Sequence, residues 1–460
     1  MKKRDFVVAL LSLTLSVSAV STALAQEQDS LINSATRPRT VTNVANRTAA
    51  TQQSAAQQAS GQTQAGQEKS PLTPQAASSD VEPTSGPATE PEAEPAKAAA
   101  EDRDATSLLR HLSPTVVRAR TTEAKRLFKT RPQPTGMTTP SINFVTLAAL
   151  DRSTSKIHLL TLPKQIFLTR GAEIPAISSL GTAVTVRILR ANGVNTAVTI
   201  FDEKGQSLAP LVVEYPIERG GAYRETAYYA SAHPAILSPE LVVAGQMYVR
   251  GSVDVAASRL REKGIYISPE ILDVAERLVI VEHVDHLRFR NENRLALYQE
   301  VFSLFALNEL DTYRYAVSSA GAGGMVQMIP WAYNLMRQRH PSVGLNPDFV
   351  VGMRTHSNAM KAMLLYMRDT WNDLAANSEV QYALNAKLAT QTELLAAGYN
   401  SNAARLPGYL RRGGSNWRTL IPRETQMYLQ IYKNFESLMP IKPRTAADTR
   451  PVAGSSNNAN

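Results

Sequence analysis

Glu309 is the strongest candidate for a catalytic side chain, because it ends a segment that is apolar on nearly every face. Residues 294–310 (RLALYQEVFSLFALNEL) have the pattern of a helix buried inside a domain. Burial against apolar neighbours favours the protonated form of a carboxyl group. A protonated carboxylic acid in a sugar-sized cleft can give its proton to a leaving glycosidic oxygen. A Glu at a helix end can also be merely solvated, so its position alone does not define an enzyme.

A glycine-rich segment follows Glu309 at set distances. The run 309–333 reads ELDTYRYAVSSAGAGGMVQMIPWAY. The glycines within 321–324 allow the backbone to approach a ligand closely. Gln327 offers both a donor and an acceptor for sugar groups. Together these residues predict a saccharide-binding turn next to an acid.

This run resembles the catalytic motif of the soluble lytic murein transglycosylases, whose catalytic domain is related to goose-type lysozyme. The family pattern is a Glu, an Ala-x-Ser seven residues later, and then Gly-Ala-x-Gly-Leu-Met-Gln. The matching positions are Glu309, Ala316, Ser318, Gly321, Ala322, Gly324 and Gln327. Two more family motifs match in order: Tyr399-Asn400 after an Ala-rich stretch, and Pro422-x-Glu424-Thr425 followed by Tyr428. The resemblance covers about residues 270–438.

The chain departs from the family pattern at several apolar positions. Leu310 replaces the usual Ser after the Glu, and Met325-Val326 replaces Leu-Met before the Gln. Ile329 stands where a Met commonly lines the sugar cleft. These departures keep the polar groups and change apolar contacts. They bear on subsite preference and rate more than on the reaction.

The resemblance implies a carbon–oxygen lyase that cleaves the β-1,4 bond between N-acetylmuramic acid and N-acetylglucosamine and forms a 1,6-anhydromuramoyl product. Glu309 would act first as acid and then as base, with Tyr399 orienting it. The implied substrate-binding residues are Ser318, Gly321, Ala322, Gln327, Tyr399, Asn400 and Tyr428. The implied partner is the peptidoglycan glycan strand. No cofactor, metal or nucleic acid is expected.

Two other functions remain open from the sequence. A lysozyme-like hydrolase would use the same acid and leave reducing ends. A non-catalytic or slow cell-wall-binding scaffold is the alternative from a different class, because the chain has a long linker, an unassigned β-rich region and the Leu310 departure.

The segment EHVDH at residues 282–286 has spacings that could bind zinc. On a helix, Glu282 and His286 are four residues apart, and His283 and His286 are three apart. A metal site usually needs another ligand, and no distant partner is indicated. The favoured interpretation is a buried polar cluster in which Asp285 or Glu282 pairs with a nearby arginine. A contribution to the substrate cleft is a further alternative.

The first residues predict export. Three basic residues at 2–4 precede an apolar run and the small-residue site Ala23-Leu24-Ala25, which together are typical of a cleaved secretory signal over 1–25. No later stretch is long and apolar enough to predict a membrane span. The expected location is the periplasm. The chain has no cysteine, which excludes disulfides, thiolate metal sites and a cysteine nucleophile.

The 460 residues divide by composition. Residues 26–105 contain no aromatic residue and predict a disordered linker, and the tail 441–460 is similar. Residues 106–255 predict a small β-rich domain from short alternating runs such as 182–189 (TAVTVRIL). Its role is unknown, and a cell-wall protein partner is one expectation. Residues 256–440 predict the catalytic domain.

The fold class expected from these divisions is α+β, with a disordered linker, a small β-rich domain and an all-helical, lysozyme-like domain. The chain carries a formal charge of +9, although residues 26–105 hold six basic and eleven acidic side chains. The positive charge therefore lies in the remaining residues. It would suit an anionic wall polymer, and it is equally typical of an ordinary solubilising surface.

Overall fold

A computed structural model describes residues 112–131 and 141–445, together with the backbone of residues 42 and 43. The predicted signal peptide, nearly all of the predicted linker and residues 446–460 of the predicted tail lie outside the described residues. The described chain is a mixed α and β structure, in which an antiparallel sheet precedes a helical region. In these ranges, no helix combines the length and the apolar character needed to cross a bilayer.

Seven strands of the β-rich region form one antiparallel sheet. The strands of the described chain are β1 (Thr42–Asn43), β2 (Phe144–Leu150), β3 (Ile157–Pro163), β4 (Glu173–Ile177), β5 (Ala183–Arg190), β6 (Ala197–Asp202), β7 (Ser207–Arg219), β8 (Ala222–Tyr229) and β9 (Ala316–Val317). The sheet has the spatial order β3-β2-β7-β6-β5-β4, and β8 pairs with β7. The long strand β7 pairs with β6 at its start, with β2 along its middle and with β8 towards its end, which curves the sheet strongly.

The burial of the strands follows their sequence patterns. In β5, Val184, Val186 and Ile188 are buried and alternate with more exposed residues, which confirms the half-buried strand predicted from TAVTVRIL. In β2, six successive residues are buried, so both faces of this strand are covered. Strand β4 was not predicted, because Pro175 interrupts its β-type run. Its position at the edge of the sheet explains why a proline is tolerated there.

The described residues form thirteen α-helices, which surround or follow the sheet. They are α1 (Pro114–Thr130), α2 (Lys164–Phe167), α3 (Pro239–Arg261), α4 (Pro269–Val281), α5 (His286–Asn291), α6 (Arg294–Asn308), α7 (Pro330–Arg339), α8 (Phe349–Arg354), α9 (His356–Ala375), α10 (Ser378–Asn385), α11 (Gln391–Asn400), α12 (Leu406–Gly413) and α13 (Arg423–Leu438). Helix α4 begins as predicted, with Ser268 accepting a hydrogen bond from the amide of Ile271. The predicted domain boundary at residue 255 falls inside α3.

Helix α6 lies at the centre of the helical region, as its all-round apolar sequence predicted. Tyr298, Phe302 and Phe305 are fully buried. Helix α3 packs along α6, and α4 and α13 also contact it. Because its last turn is held from several sides, the position of the residue that follows α6 is fixed by the core.

The helical region is not purely helical. Strand β9 lies between α6 and α7, and single β-bridges join Val317 to Gly323 and Gly323 to Met328. The two-residue strand β1 pairs antiparallel with β9. The prediction of an all-helical domain is therefore not confirmed, because the glycine-rich segment folds back on itself as a small β-type turn.

The first residues of the predicted tail pack on the helices. Arg444 is buried and pairs with Asp273 at 2.9 Å and with Glu276 on α4, and with Asp254 on α3 at 2.8 Å. These three acids attract the chain after α13, although its sequence carries no helix or strand pattern. The ordered chain thus extends beyond residue 441, where the tail was predicted to begin.

Candidate functional site

The candidate acid lies immediately after α6. Glu309 has a φ of 47°, in the left-handed region that residues other than glycine seldom adopt. The change in backbone direction takes Glu309 away from the buried face formed by Phe302 and Phe305, and its side chain is exposed. The predicted burial of Glu309 is therefore wrong. The apolar residues of α6 face the core, whereas the carboxyl group faces the solvent.

The segment after Glu309 is connected to the glycine-rich segment through His283. The ring of Tyr313 stacks on the imidazole of His283, with the centroids 3.4 Å apart. The Nε2 atom of His283 lies 2.9 Å from the carbonyl oxygen of Met325. Burial lowers the pKa of His283 to about 3, so the ring is neutral at physiological pH and Nε2 carries the hydrogen that it donates. His283 therefore supports two parts of the site at once.

The glycine-rich segment packs directly on α8. The amide of Gly324 donates to the carbonyl of Ala316 at 3.1 Å, which holds the turn beside β9. Gly324 has a φ of 66°, and an added Cβ would overlap the carbonyl oxygen of Met353. Only glycine fits this position without displacing α8.

Ser318, Gly321 and Ala322 form a tight turn of their own. The Oγ of Ser318 accepts a hydrogen bond from the amide of Ala322 at 3.0 Å, and the amide of Gly321 donates to the carbonyl of Ser318. Ser318 and Ala322 are buried. In this structure their observed role is to shape the turn.

Gln327, like Glu309, has a positive φ. Its φ is also 47°, and its side chain is 3% exposed. The side-chain Nε2 donates to the carbonyl of Gly324 at 2.8 Å. Its Oε1 atom is buried and has no hydrogen-bond partner among the described residues. The Oε1 atom of Gln327 therefore remains available as a hydrogen-bond acceptor.

The second and third sequence motifs lie on α11 and at the start of α13. The hydroxyl of Tyr399 donates a 2.6 Å hydrogen bond to the carbonyl of Val326. The Oδ1 atom of Asn400 accepts from the hydroxyl of Thr425 at 2.9 Å, which links the two motifs. The Nδ2 atom of Asn400 is buried without a partner in the described part of the chain.

The EHVDH segment takes part in this network. Tyr428 donates to the buried carboxyl group of Glu282 at 2.8 Å. Asp285 accepts from the backbone amide of Arg288 and caps α5, so it does not form the predicted pair with an arginine side chain. Within residues 112–131 and 141–445, no three His, Asp or Glu side chains are grouped as metal ligands.

Three of the predicted site residues bond within or to the same turn, whereas Glu309 lies exposed after α6. The turn that follows β9 is held by hydrogen bonds of Ser318, Gln327 and Tyr399. Among the described residues, no hydrogen bond joins Glu309 to Ser318 or Gln327. The sequence predicted that Tyr399 orients Glu309; in the structure its hydroxyl donates to the carbonyl of Val326.

Sequence reasoning missed two residues near Glu309. The hydroxyl of Tyr248 on α3 lies 2.8 Å from Nδ1 of His356, at the start of α9. Burial raises the pKa of Tyr248 to about 12, and the negative charges of Glu309 and Asp311 contribute to the shift. No spacing in the sequence could have revealed this pair, because the two residues are 108 positions apart.

Comparison with known proteins does not identify the chain: no family model matches it, and neither the curated proteins nor the solved structures yield a match.

Proposed function

We propose that this chain is an exported peptidoglycan lytic transglycosylase with Glu309 as its acid. The observation that carries the proposal is the positive φ of both Glu309 and Gln327. Both are non-glycine residues with a φ of 47°, and both occupy matching positions of the family motif. Strained backbone persists where the surrounding structure holds it, and it concentrates at functional sites.

The proposal includes a lysozyme-like arrangement of the helical part. Three features support it: α6 is buried at the centre, the acid follows its last residue, and a short β-type turn comes next. Leu310 is 68% exposed beside the acid, where the family usually has Ser. Its side chain would supply an apolar contact for a bound sugar.

In the proposed reaction, Glu309 donates its proton to the glycosidic oxygen as the bond from that oxygen to the anomeric carbon breaks. An oxocarbenium-like centre forms on the muramoyl residue. The C6 hydroxyl of the same residue then attacks the anomeric carbon, and Glu309 takes back the hydroxyl proton. No water is consumed, and no second carboxylate is needed, unlike in the two-carboxylate glycosidases. A bound glycan would cover the exposed carboxyl group and exclude water from it.

The proposed substrate-binding residues fall into two groups, those that could contact the sugar and those that hold the site in place. Gln327 and Asn400 each have a buried polar atom without a partner among the described residues, and a local opening of the turn would let each bond to a sugar substituent. Ser318 and Tyr428 are bonded to protein groups and would act by holding the turn and α13 in place. Tyr399 would act through Val326 on the backbone beside Gln327.

The test is digestion of purified sacculi by the wild type and by Glu309→Gln. Because Glu309 is exposed, the substitution should leave the fold intact, and we expect at least a 100-fold loss of anhydromuropeptide release. Asp311→Asn is the matched control, since it neutralises the acid two residues further along and should keep most of the activity. Equal release by wild type and Glu309→Gln would refute the proposed role.

The same experiment separates the alternatives. Anhydro ends in the products support the lyase, whereas reducing ends, heavier by one water, indicate a hydrolase. Sacculus binding by the wild type without any cleavage indicates a scaffold. Export is tested separately by fractionating cells and sequencing the mature N-terminus, which should begin after residue 25.

A further inference from the structure

We propose that the β-rich region positions the catalytic segment: Asn308 ties Glu309 to the end of the sheet, while His356 and Tyr248 hold the same segment from the opposite side. This inference rests on the proposed function of Glu309. It assigns Asn308, His356 and Tyr248 as positioning residues, and it gives the β-rich region a role within the enzyme.

The first contact is a double hydrogen bond between Asn308 and Ala230. The Oδ1 atom of Asn308 accepts from the amide of Ala230 at 2.8 Å, and its Nδ2 atom donates to the carbonyl of Ala230 at 2.8 Å. Nδ2 also lies 3.2 Å from the carbonyl of Leu304, in the preceding turn of α6. The side chain next to Glu309 is therefore fixed in register with the residue that follows β8.

The chain around Ala230 is itself rigidly held. The hydroxyl of the buried Ser231 donates to the carbonyl of Val194 at 3.1 Å. The buried His233 accepts from the amide of Val198 at 3.1 Å. Both partners belong to the sheet or its connections, so Ala230 transmits the position of the sheet to the end of α6.

A second contact acts three residues after Glu309. The amide of Thr312 donates to the carbonyl of Glu309 at 3.0 Å and closes a tight turn. The carbonyl of Thr312 lies 2.8 Å from Nε2 of His356, whose Nδ1 lies 2.8 Å from the hydroxyl of Tyr248. Burial lowers the pKa of His356, so its ring is neutral. Because the carbonyl of Thr312 can only accept, Nε2 carries the donated hydrogen and Nδ1 accepts from the phenol.

The two contacts lie on either side of the residue with the unusual backbone. A left-handed conformation is unfavourable for glutamate and is kept only when its neighbours leave no alternative. The bonds of Asn308 to Ala230 restrain the chain just before Glu309. The bond of Thr312 to His356 restrains the chain just after it. Catalysis by a single acid depends on its placement, since a displacement of about 1 Å can cost about 100-fold in rate.

The test compares Asn308→Ala and Tyr248→Phe with Tyr298→Phe as the control. Tyr298 lies on α6, as Asn308 does, but towards the end far from Glu309. The Tyr298→Phe change removes its hydrogen bonds to α13. Amide hydrogen exchange is measured by mass spectrometry across residues 309–315. We expect exchange there to rise roughly tenfold in both test variants and not in the control. Tyr248→Phe keeps its ring packing on Phe305, so it should fold even if Asn308→Ala does not.

Activity on sacculi gives the second measurement. We expect kcat to fall by about 10- to 100-fold in Asn308→Ala with KM nearly unchanged, and the double variant with Tyr248→Phe to lose less than the product of the single losses. Unchanged exchange across 309–315 in both variants overturns the inference. If the wild type cleaves no glycan, the proposed function fails, while the exchange result still decides whether these residues position the segment.

Discussion

The hydroxyl of Tyr399 on α11 donates a 2.6 Å hydrogen bond to the carbonyl of Val326, 73 residues earlier in the chain. Val326 precedes Gln327, whose left-handed backbone forms the end of the glycine-rich turn. The bond therefore ties the second sequence motif to the first through the main chain. Tyr399 therefore supports the turn through its backbone.

Tyr399→Phe should weaken this turn. Loss of one such hydrogen bond is expected to lower the free energy of unfolding by about 1 kcal/mol. Because the turn holds Gln327, we also expect a roughly tenfold fall in kcat on sacculi. Tyr366→Phe is the control, since Tyr366 packs edge-on against Tyr399 and its change removes a neighbouring hydroxyl while it leaves the Tyr399–Val326 bond in place. An equal loss of kcat in both variants would contradict a specific role for the Tyr399 bond.

Gly324→Ala should be strongly destabilising, whereas Gly321→Ala should be tolerated better. Both glycines have positive φ, so alanine is strained at either position by about 1 kcal/mol. At Gly324 the added Cβ would also overlap the carbonyl of Met353, whereas at Gly321 it meets open space. We expect a loss of about 3 kcal/mol or more for Gly324→Ala in urea denaturation. Similar losses for the two variants would show that the contact with α8 is not the cause.

The sequence predicted local structure well where one pattern dominates. The all-round apolar pattern of α6 and the alternation of β5 were each sufficient to place an element. Strand β4 and helix α1 were missed for physical reasons. A proline interrupts β4, and the stripe that α1 buries contains only Val117, Ala124 and Phe128 besides Thr121.

The sequence identified residues of the candidate site, but it did not predict how they are arranged in space. The motif spacing identified Glu309, Gln327 and Tyr399, but it could not reveal that Glu309 leaves the helix with a left-handed turn and becomes exposed. Backbone reversals of this kind depend on tertiary contacts such as the bond from Asn308 to Ala230. Those contacts join residues 78 positions apart, beyond the range of any periodic pattern.

Arg444→Ala should destabilise the helical region. Its guanidinium is almost fully buried against Glu276, which is itself 2% exposed, and it also pairs with Asp273. Removing the cation leaves a buried acid with one fewer partner, which typically costs about 3–5 kcal/mol. Arg187→Ala is the control, because the Arg187–Glu173 pair is exposed and should contribute less than about 1 kcal/mol. Thermal and urea unfolding of both variants measure the difference, and equal stabilities would argue against a structural role for the tail.

Acid should destabilise the fold between about pH 6.5 and pH 3 through two buried histidines. Burial lowers the pKa of His233 to about 3, with a contribution from the positive charge of Arg190. Burial likewise lowers the pKa of His283 to about 3 beneath Tyr313, and His356 adds to the shift. Both rings stay neutral in the folded chain while the unfolded chain takes up protons below about pH 6.5. Stability is therefore fully present above that pH and is lost as the pH falls.

The measurement is urea denaturation at several pH values across that window. Each histidine should contribute roughly 1.4 kcal/mol per pH unit to the slope of unfolding free energy. His283→Asn removes one contribution, and the double variant with His233→Asn removes both, although each variant is less stable than the wild type at pH 7. The slope should therefore decrease stepwise from the wild type to the single and double variants. A slope that is the same in all three proteins would exclude these two rings as the source of acid sensitivity.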